Sequence, residues 1–89
     1  MRIVMKKFGD FLTSRAAGRE AFLAARAYIL PHLEEKYIEL DFEGVKVLTP
    51  SWIDEFLRGL EEQIPQENIH ILPTENLSVT ASIKAVREN

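Results

Sequence analysis

The chain has 89 residues, of which 46% are hydrophobic and 28% charged, and this balance is typical of a single soluble globular domain that spans residues 1–89. The absence of cysteine excludes disulfides, thiol catalysis and thiolate metal sites, and two distant histidines, His32 and His70, do not indicate a zinc site. The formal net charge of −3, without a basic patch interleaved with aromatics, argues against nucleic-acid binding.

Charge is distributed unevenly along the chain. Residues 1–26 carry six basic and two acidic residues, whereas residues 27–75 carry three basic and eleven acidic residues. The contrast is compatible with an acidic partner or a head-to-tail contact, but we favour two oppositely charged, solvated faces of one domain. No apolar run approaches the roughly 20 residues of a membrane span, and residues 1–10 lack the apolar centre of a secretory signal. We therefore expect a cytoplasmic protein with no membrane association.

The first elements are two short strands and a helix. Residues 2–6 alternate weakly and predict a strand, and a turn around Gly9 precedes a second short strand at residues 11–13. Ser14 is a suitable N-cap for a helix that runs to about Leu30, because Pro31 prevents its regular continuation.

This first helix is apolar nearly all round. One face carries small residues and a tyrosine and is predicted to approach a sheet: Ala17, Ala21, Ala24, Ala25 and Tyr28. A second, narrow stripe carries three arginines with Phe22 in its middle: Arg15, Arg19 and Arg26. We favour arginine stems that cover Phe22, and keep a secondary binding surface as the alternative.

A central strand follows, and its pattern indicates the fold class. Ile38, Leu40 and Phe42 alternate with polar residues, so one sheet face is predicted to be covered by helices and the other to be at least partly wet. Strands that alternate with helices imply parallel neighbours. The sequence thus predicts an α/β domain with a mostly parallel sheet and helices packed mainly on one face. It contains no glycine-rich phosphate loop.

The remaining elements follow the same rules. Residues 45–48 continue extended and lead into a second helix with one apolar stripe, formed by Ile53, Phe56, Leu57, Leu60 and Ile64. Residues 68–72 predict the last strand, with Ile69 and Ile71 inward. Asn76 or Ser78 then caps a final helix.

The start of the second helix is the candidate functional site. Thr49 fits an N-cap with Pro50 in the first helical position, which leaves the Ser51 hydroxyl near free amides that would suit a phosphate. Alternatively, Ser51 is the cap, with Asp54 three residues later as a capping carboxylate. Asp54 and Glu55 are adjacent and are expected to point apart, and to complement the helix dipole rather than act as a catalytic pair.

Trp52 admits two interpretations. It lies at the edge of the apolar arc, on the side of Gly59, so its ring is expected to be at least partly exposed as an anchor for a partner. Alternatively, it folds over the sheet edge as peripheral core.

Two stretches resemble the STAS-like domain family, whose members are small domains of unsettled function related in fold to the STAS domains of anti-sigma-factor antagonists. The segment FGDFLTSR at residues 8–15 is similar to the family's entry motif. The segment LDFEGVKVLTPSWIDEFLRGL at residues 40–60 is similar to its LDF-x-GV motif followed by serine, an aromatic residue and an Asp-Glu pair. The later IHILPTENLSV extends the resemblance over nearly the whole chain.

The resemblance implies a non-enzymatic interaction module with a regulatory role of the partner-switching type. The implied partner is a protein, such as a histidine-kinase-like ATPase or another regulator. The antagonists carry a phosphorylated serine at a position that falls at Pro50 or Ser51 here, but their Asp-Ser-Ser-Gly run is replaced by Thr-Pro-Ser-Trp. We expect binding through Thr49, Ser51, Trp52, Asp54 and Glu55, with no cofactor and no metal. The alternatives are a small-molecule, nucleotide or anion sensor and, less favoured, a hydrolase that uses Ser51 with His70.

Overall fold

The computed structural model describes residues 1–87. The chain forms five strands and three α-helices within this range, in this order: β1 (Arg2–Val4), β2 (Phe11–Leu12), α1 (Arg15–Tyr28), β3 (Ile38–Asp41), β4 (Val47–Leu48), α2 (Pro50–Glu61), β5 (Ile69–Ile71) and α3 (Leu77–Arg87). Three short 3-10 helices occupy Met5–Phe8, Leu30–His32 and Gln66–Asn68. The elements agree with those predicted from hydrophobic periodicity, with shorter strands.

The strands form two parallel ladders. The first has the order β1-β3-β5, and the second pairs β2 with β4. Both neighbouring chain segments are interrupted between the two ladders. The 3-10 helix Met5–Phe8 and Gly9 separate β1 from β2, and a turn at Gly44 separates β3 from β4. Both glycines have positive φ (130° and 87°), which a residue with a side chain rarely adopts. The parallel α/β class predicted from the sequence is confirmed.

One face of the three-stranded sheet is buried and the other is open. Ile3, Leu40 and Ile69 are at most 2% exposed and belong to the core. The alternating positions on the opposite face form a polar row across the three strands, because Arg2 pairs with Glu39 and Glu39 pairs with His70. The prediction that the central strand has one covered and one wet face is therefore confirmed.

Helices α1 and α2 pack closely against each other. A Cβ atom at Gly18 would lie less than 3.0 Å from the carbonyl oxygen of Trp52, and one at Gly59 would overlap the ring of Phe22. The buried face of α1 therefore consists of Gly18, Ala21, Phe22 and Ala25. The expected face is wrong in part, since Ala17 and Ala24 are exposed and Tyr28 is 77% exposed. The two glycines allow the closest approach along α2, and this contact sets the rotation of α1.

Capping follows the predictions. The Ser14 hydroxyl accepts a hydrogen bond from the Ala17 amide at the start of α1 (3.1 Å). Of the two residues proposed for α3, the cap is Asn76, whose Oδ1 accepts from the amides of Ser78 (2.9 Å) and Val79 (3.2 Å). The final helix is thus fixed at the position where the last strand turns back towards β4.

The N-cap Asn76 and two side chains of α3 occupy the edge of β4, and of the two residues before it, that β2 leaves free. The Asn76 amide donates to the carbonyls of Val45 (2.9 Å) and Lys46 (3.0 Å). The Ser78 hydroxyl accepts from the Leu48 amide (3.2 Å), and the buried Ser82 hydroxyl donates to the Leu48 carbonyl (2.8 Å). Three side chains therefore take the place of a neighbouring strand.

Candidate functional site

Thr49 joins the start of α2 to the end of β2. It occupies the N-cap position with Pro50 as the first helical residue, as the first of the two predicted arrangements requires. Its amide donates to the Leu12 carbonyl (3.0 Å), and its hydroxyl donates to the Thr13 carbonyl (2.5 Å) rather than accepting from an amide of its own helix. The helix start is held against the neighbouring strand.

Ser51 is the second residue of α2 and is half-buried. The alternative that makes it the N-cap is therefore wrong. The histidine that a serine hydrolase would need lies elsewhere: the ring of His70 is 4.8 Å from that of Tyr37, beside the amino end of β3. Ser51 follows the carboxyl end of β4, so the fold does not bring these two side chains together.

Asp54 and Glu55 converge on a single arginine. Nη1 of Arg15 lies 2.8 Å from Asp54 Oδ2 and 3.1 Å from Glu55 Oε1, and Nε of Arg58 lies 3.0 Å from Asp54 Oδ1. The expectation that the two adjacent carboxylates point apart is corrected here. Although their side chains leave α2 at different angles, the guanidinium of Arg15 at the start of α1 lies between them and accommodates both.

This network changes the protonation of its members. The hydrogen bond from Arg15 is the main cause that lowers the pKa of Asp54, and the hydrogen bond from Arg58 acts in the same direction. The pKa of Arg15 is raised, chiefly by its hydrogen bond to Asp54. A carboxylate whose charged form is stabilised in this way is a poor proton acceptor. It is better suited to fix the two helix starts relative to each other.

The other two arginines of the predicted stripe have different surroundings from Arg15. The guanidinium of Arg26 lies 5.8 Å from the centre of the Phe22 ring, which is itself only 2% exposed. This arrangement agrees with an arginine that covers Phe22. Arg19 is exposed on the same helix. Because Arg15 turns towards α2, the three guanidinium groups do not share one set of contacts.

Trp52 is a core residue, and the expectation of an exposed ring is wrong. Only 1% of the residue is exposed. Its ring stacks on Phe56 at 5.2 Å with an interplanar angle of 17°, and the tilted ring of Phe8 lies 6.1 Å away. Gly59 is also unavailable to a partner, because the Phe22 ring covers it. The helical position of Trp52 was read correctly, but α1 and Phe8 cover the side that we expected to face solvent.

Sequence reasoning missed two exposed apolar side chains that flank β4, the strand that leads into α2. Phe11 is 63% exposed and pairs in register with Val47, on one edge of β4. Leu77 is 81% exposed and lies between the N-cap Asn76, which binds Lys46 just before β4, and Ser78, which binds Leu48 on the other edge. We refer to Phe11, Val47 and Leu77 as the β4 patch. Alternation in β2 contained the signal, since an inward Leu12 requires an outward Phe11.

Two kinds of feature are absent from the described part of the chain. Residues 1–87 contain no group of three or more His, Asp or Glu side chains placed to hold a metal ion. No helix in that range is long and apolar enough to cross a membrane.

Comparison with known proteins identifies the family. A family model described as a STAS-like domain of unknown function matches residues 26–78, from the end of α1 to the start of α3. The matched range contains the motif at residues 40–60, whereas the motif at residues 8–15 precedes it. No curated protein and no solved structure matches the chain. Since more than half of the 89 residues match, the chain belongs to the STAS-like domain family, whose function is unknown.

Proposed function

We propose that this domain is a non-enzymatic protein-interaction module with a regulatory role, and that its partner binds at the start of α2 and the adjoining β4 patch. The surface that we propose combines residues expected from the sequence, Thr49 and Ser51, with the exposed side chains of Phe11 and Leu77. Trp52 supports this surface from the core and does not contact the partner.

The observation that carries the proposal is the exposure of two large apolar side chains on opposite edges of one short strand. Phe11 and Leu77 are 63% and 81% exposed, and β4 between them leads directly into α2. Exposed apolar residues that occur singly are common and need no explanation. Here, however, the β2–β4 pairing and the hydrogen bonds of Asn76 and Ser78 fix the backbone of both residues at the two edges of β4, so the two side chains are presented from a rigid frame.

The partner we propose is a protein of the partner-switching type, with a histidine-kinase-like ATPase as one candidate. This part of the proposal rests on the relationship in fold to anti-sigma-factor antagonists. Two features of the site support a role without turnover: Ser51 follows the carboxyl end of β4 whereas His70 lies on β5 beside Tyr37, and Asp54 is bound by two arginines. An anion sensor would rest on the amino end of α2 alone, and nothing else at that position favours it.

The test is affinity capture with the 89-residue chain, followed by direct binding to each captured protein after its purification. Because exposed side chains contribute little to folding, the double variant Phe11→Ser/Leu77→Ser is expected to keep the melting temperature of the parent. Its affinity for the partner should fall by at least about tenfold, since a few well-packed residues carry most of the binding energy of a protein interface.

The matched control is Tyr28→Ser, which removes an equally exposed aromatic side chain from the far end of α1. This variant should bind the partner as the parent does. Equal binding by the double variant and the parent would place the interface elsewhere. A chain that captures no partner, yet hydrolyses a substrate in a Ser51-dependent manner, would refute the interaction role itself.

A further inference from the structure

The outer edge of β5 is open for pairing at Ile71. The amide of Leu72 donates to the carbonyl of Leu40 on β3 (3.0 Å), and alternate residues of a strand bond to the same neighbour. The main-chain groups of Ile69 and Ile71 therefore face away from β3. The Ile69 carbonyl accepts a hydrogen bond from Nη1 of Arg87 (3.2 Å), which agrees with a carbonyl that faces away from β3. The N–H and C=O groups of Ile71 face outwards next to it.

A largely apolar groove runs along this edge. It lies between the segment Ile71–Thr74 and helix α3 and has a volume of about 480 Å³. Val79 is fully buried at its base, and Ile83 and Ile71 are half-buried along its sides. Unsatisfied strand-edge groups beside an apolar groove are what an extended peptide needs in order to bind by strand addition.

The charge of the groove selects the kind of peptide. None of the residues that line it is acidic, while Arg87 contributes positive charge along α3. The Nη atoms of Arg87 donate to two neutral carbonyls, those of Ile69 and Gln66 (both 3.2 Å), and within residues 1–87 Arg87 forms no salt bridge with a carboxylate. This positive region lies on a chain whose net charge is negative, and it favours an acidic occupant.

We propose that this groove binds an extended, acidic segment of a protein partner, which adds as a strand to the outer edge of β5. The main chain of the segment pairs with Ile71, one of its apolar side chains lies between Ile71 and Ile83, and a carboxylate contacts the Arg87 side of the groove. This second surface is separate from the β4 patch and does not depend on the function proposed for that patch.

Three synthetic peptides test the proposal on the full chain by NMR titration at millimolar peptide concentration. The first is a capped heptapeptide that alternates valine with threonine between two terminal glutamates. The second replaces both glutamates with lysines. The third keeps the glutamates but has N-methylated amides at alternate positions, which removes the donors that strand addition uses. The expected result is that the first peptide shifts the Ile71 amide and the Val79 and Ile83 methyl signals, whereas the other two bind at least several-fold more weakly.

Two variants separate this site from its alternatives. Arg87→Gln retains a donor for the Ile69 carbonyl but lacks the charge, so it should reduce the preference for the glutamate peptide over the lysine peptide. Phe11→Ser/Leu77→Ser should bind the glutamate peptide like the parent, so failure of the β4 patch proposal would leave this result unchanged. The proposal is overturned if no peptide shifts these signals, if the N-methylated peptide binds equally well, or if the shifts fall on Arg2 and Val4 at the edge of β1.

Discussion

The ring of Phe22 in α1 lies directly over Gly59 in α2. A Cβ atom on Gly59 would overlap the ring, and the ring itself is only 2% exposed. One turn earlier in α1, Gly18 makes a similar approach to the carbonyl group of Trp52. The crossing of the two helices therefore depends on the absence of a side chain at two positions, one on each helix.

Gly59→Ala is expected to destabilise the domain by about 1–3 kcal/mol or more, because the added methyl group must displace an aromatic ring in a packed core. The replacement gains about 1 kcal/mol of helix propensity, which is too little to offset the overlap. Urea unfolding followed by circular dichroism measures the difference. Glu61→Ala on the exposed face of α2 is the control and should change stability by less than about 0.5 kcal/mol. A Gly59→Ala variant as stable as the parent would contradict the described helix contact.

Trp52→Ala should cost about 3–5 kcal/mol, because it removes the largest buried side chain and leaves a cavity beside Phe8 and Phe56. Trp52 is the only tryptophan, so its fluorescence reports on its own environment. The native emission maximum should be that of a buried indole and should move to longer wavelength on unfolding. A native maximum typical of an indole in water, or a Trp52→Ala variant that melts with the parent, would restore the interpretation of Trp52 as a surface anchor.

The Asp54 network predicts a pH-dependent contribution to stability. Since folding lowers the pKa of Asp54 below its ordinary value of 3.8, the folded state favours the charged carboxylate. The stabilisation is fully present above that value and is lost as the pH falls through the lower, folded-state pKa. Asp54→Asn should therefore reduce the melting temperature at pH 7, and the difference from the parent should shrink as the pH falls below 3.8.

Salt provides a second check on this prediction. The side chains of the network are partly exposed to solvent, so dissolved ions screen the ion pairs between them and weaken the attraction. The difference between Asp54→Asn and the parent should decrease in high salt. Glu62→Gln removes another carboxylate near the end of α2 and is the control. A difference that stays constant between pH 7 and pH 3 would mean that the Asp54 charge contributes nothing to folding.

Asn76 has two roles that substitutions can separate. Its carbonyl oxygen caps α3, and its amide group binds the carbonyls of Val45 and Lys46. Asn76→Ala loses both roles and should cost more than the roughly 1 kcal/mol of a typical cap. Asn76→Asp keeps the cap but has no donor for the two carbonyls, so its stability should fall between those of the parent and the alanine variant. Equal losses in the two variants would show that the cap oxygen contributes nothing measurable.

Periodicity predicted the elements and the fold class because the main segments carry unambiguous patterns. In β3, Ile38 and Leu40 alternate with polar residues, and in α2 the apolar stripe has one evident centre. Helix α1 lacked such a signal, since small and apolar residues occur on nearly all sides of the helix. Its orientation follows from the fit of Phe22 over Gly59, which depends on two segments far apart in the chain.

The sequence predicted where the candidate site lies, but only some of the contacts that its side chains make. The position of Thr49 and the helix start at Pro50 follow from local rules of helix capping. The burial of Trp52 and the convergence of Asp54 and Glu55 on Arg15 do not, because both require the contact between α1 and α2. Tertiary packing determined these features, and no local pattern encodes them.

The side chains of α3 that bind β4 also protect the protein from self-association. A strand edge with free N–H and C=O groups is a template for strands of other molecules, and natural proteins cover or interrupt such edges. Ser78 and Ser82 occupy the main-chain groups of Leu48 in β4, and Asn76 occupies the carbonyls of the two residues before the strand, so that another molecule cannot contact them. Loss of α3 would therefore do more than weaken the core. Loss of this helix would expose an edge of β4 to strands of other molecules. The solubility of the protein, as well as its stability, would therefore depend on α3.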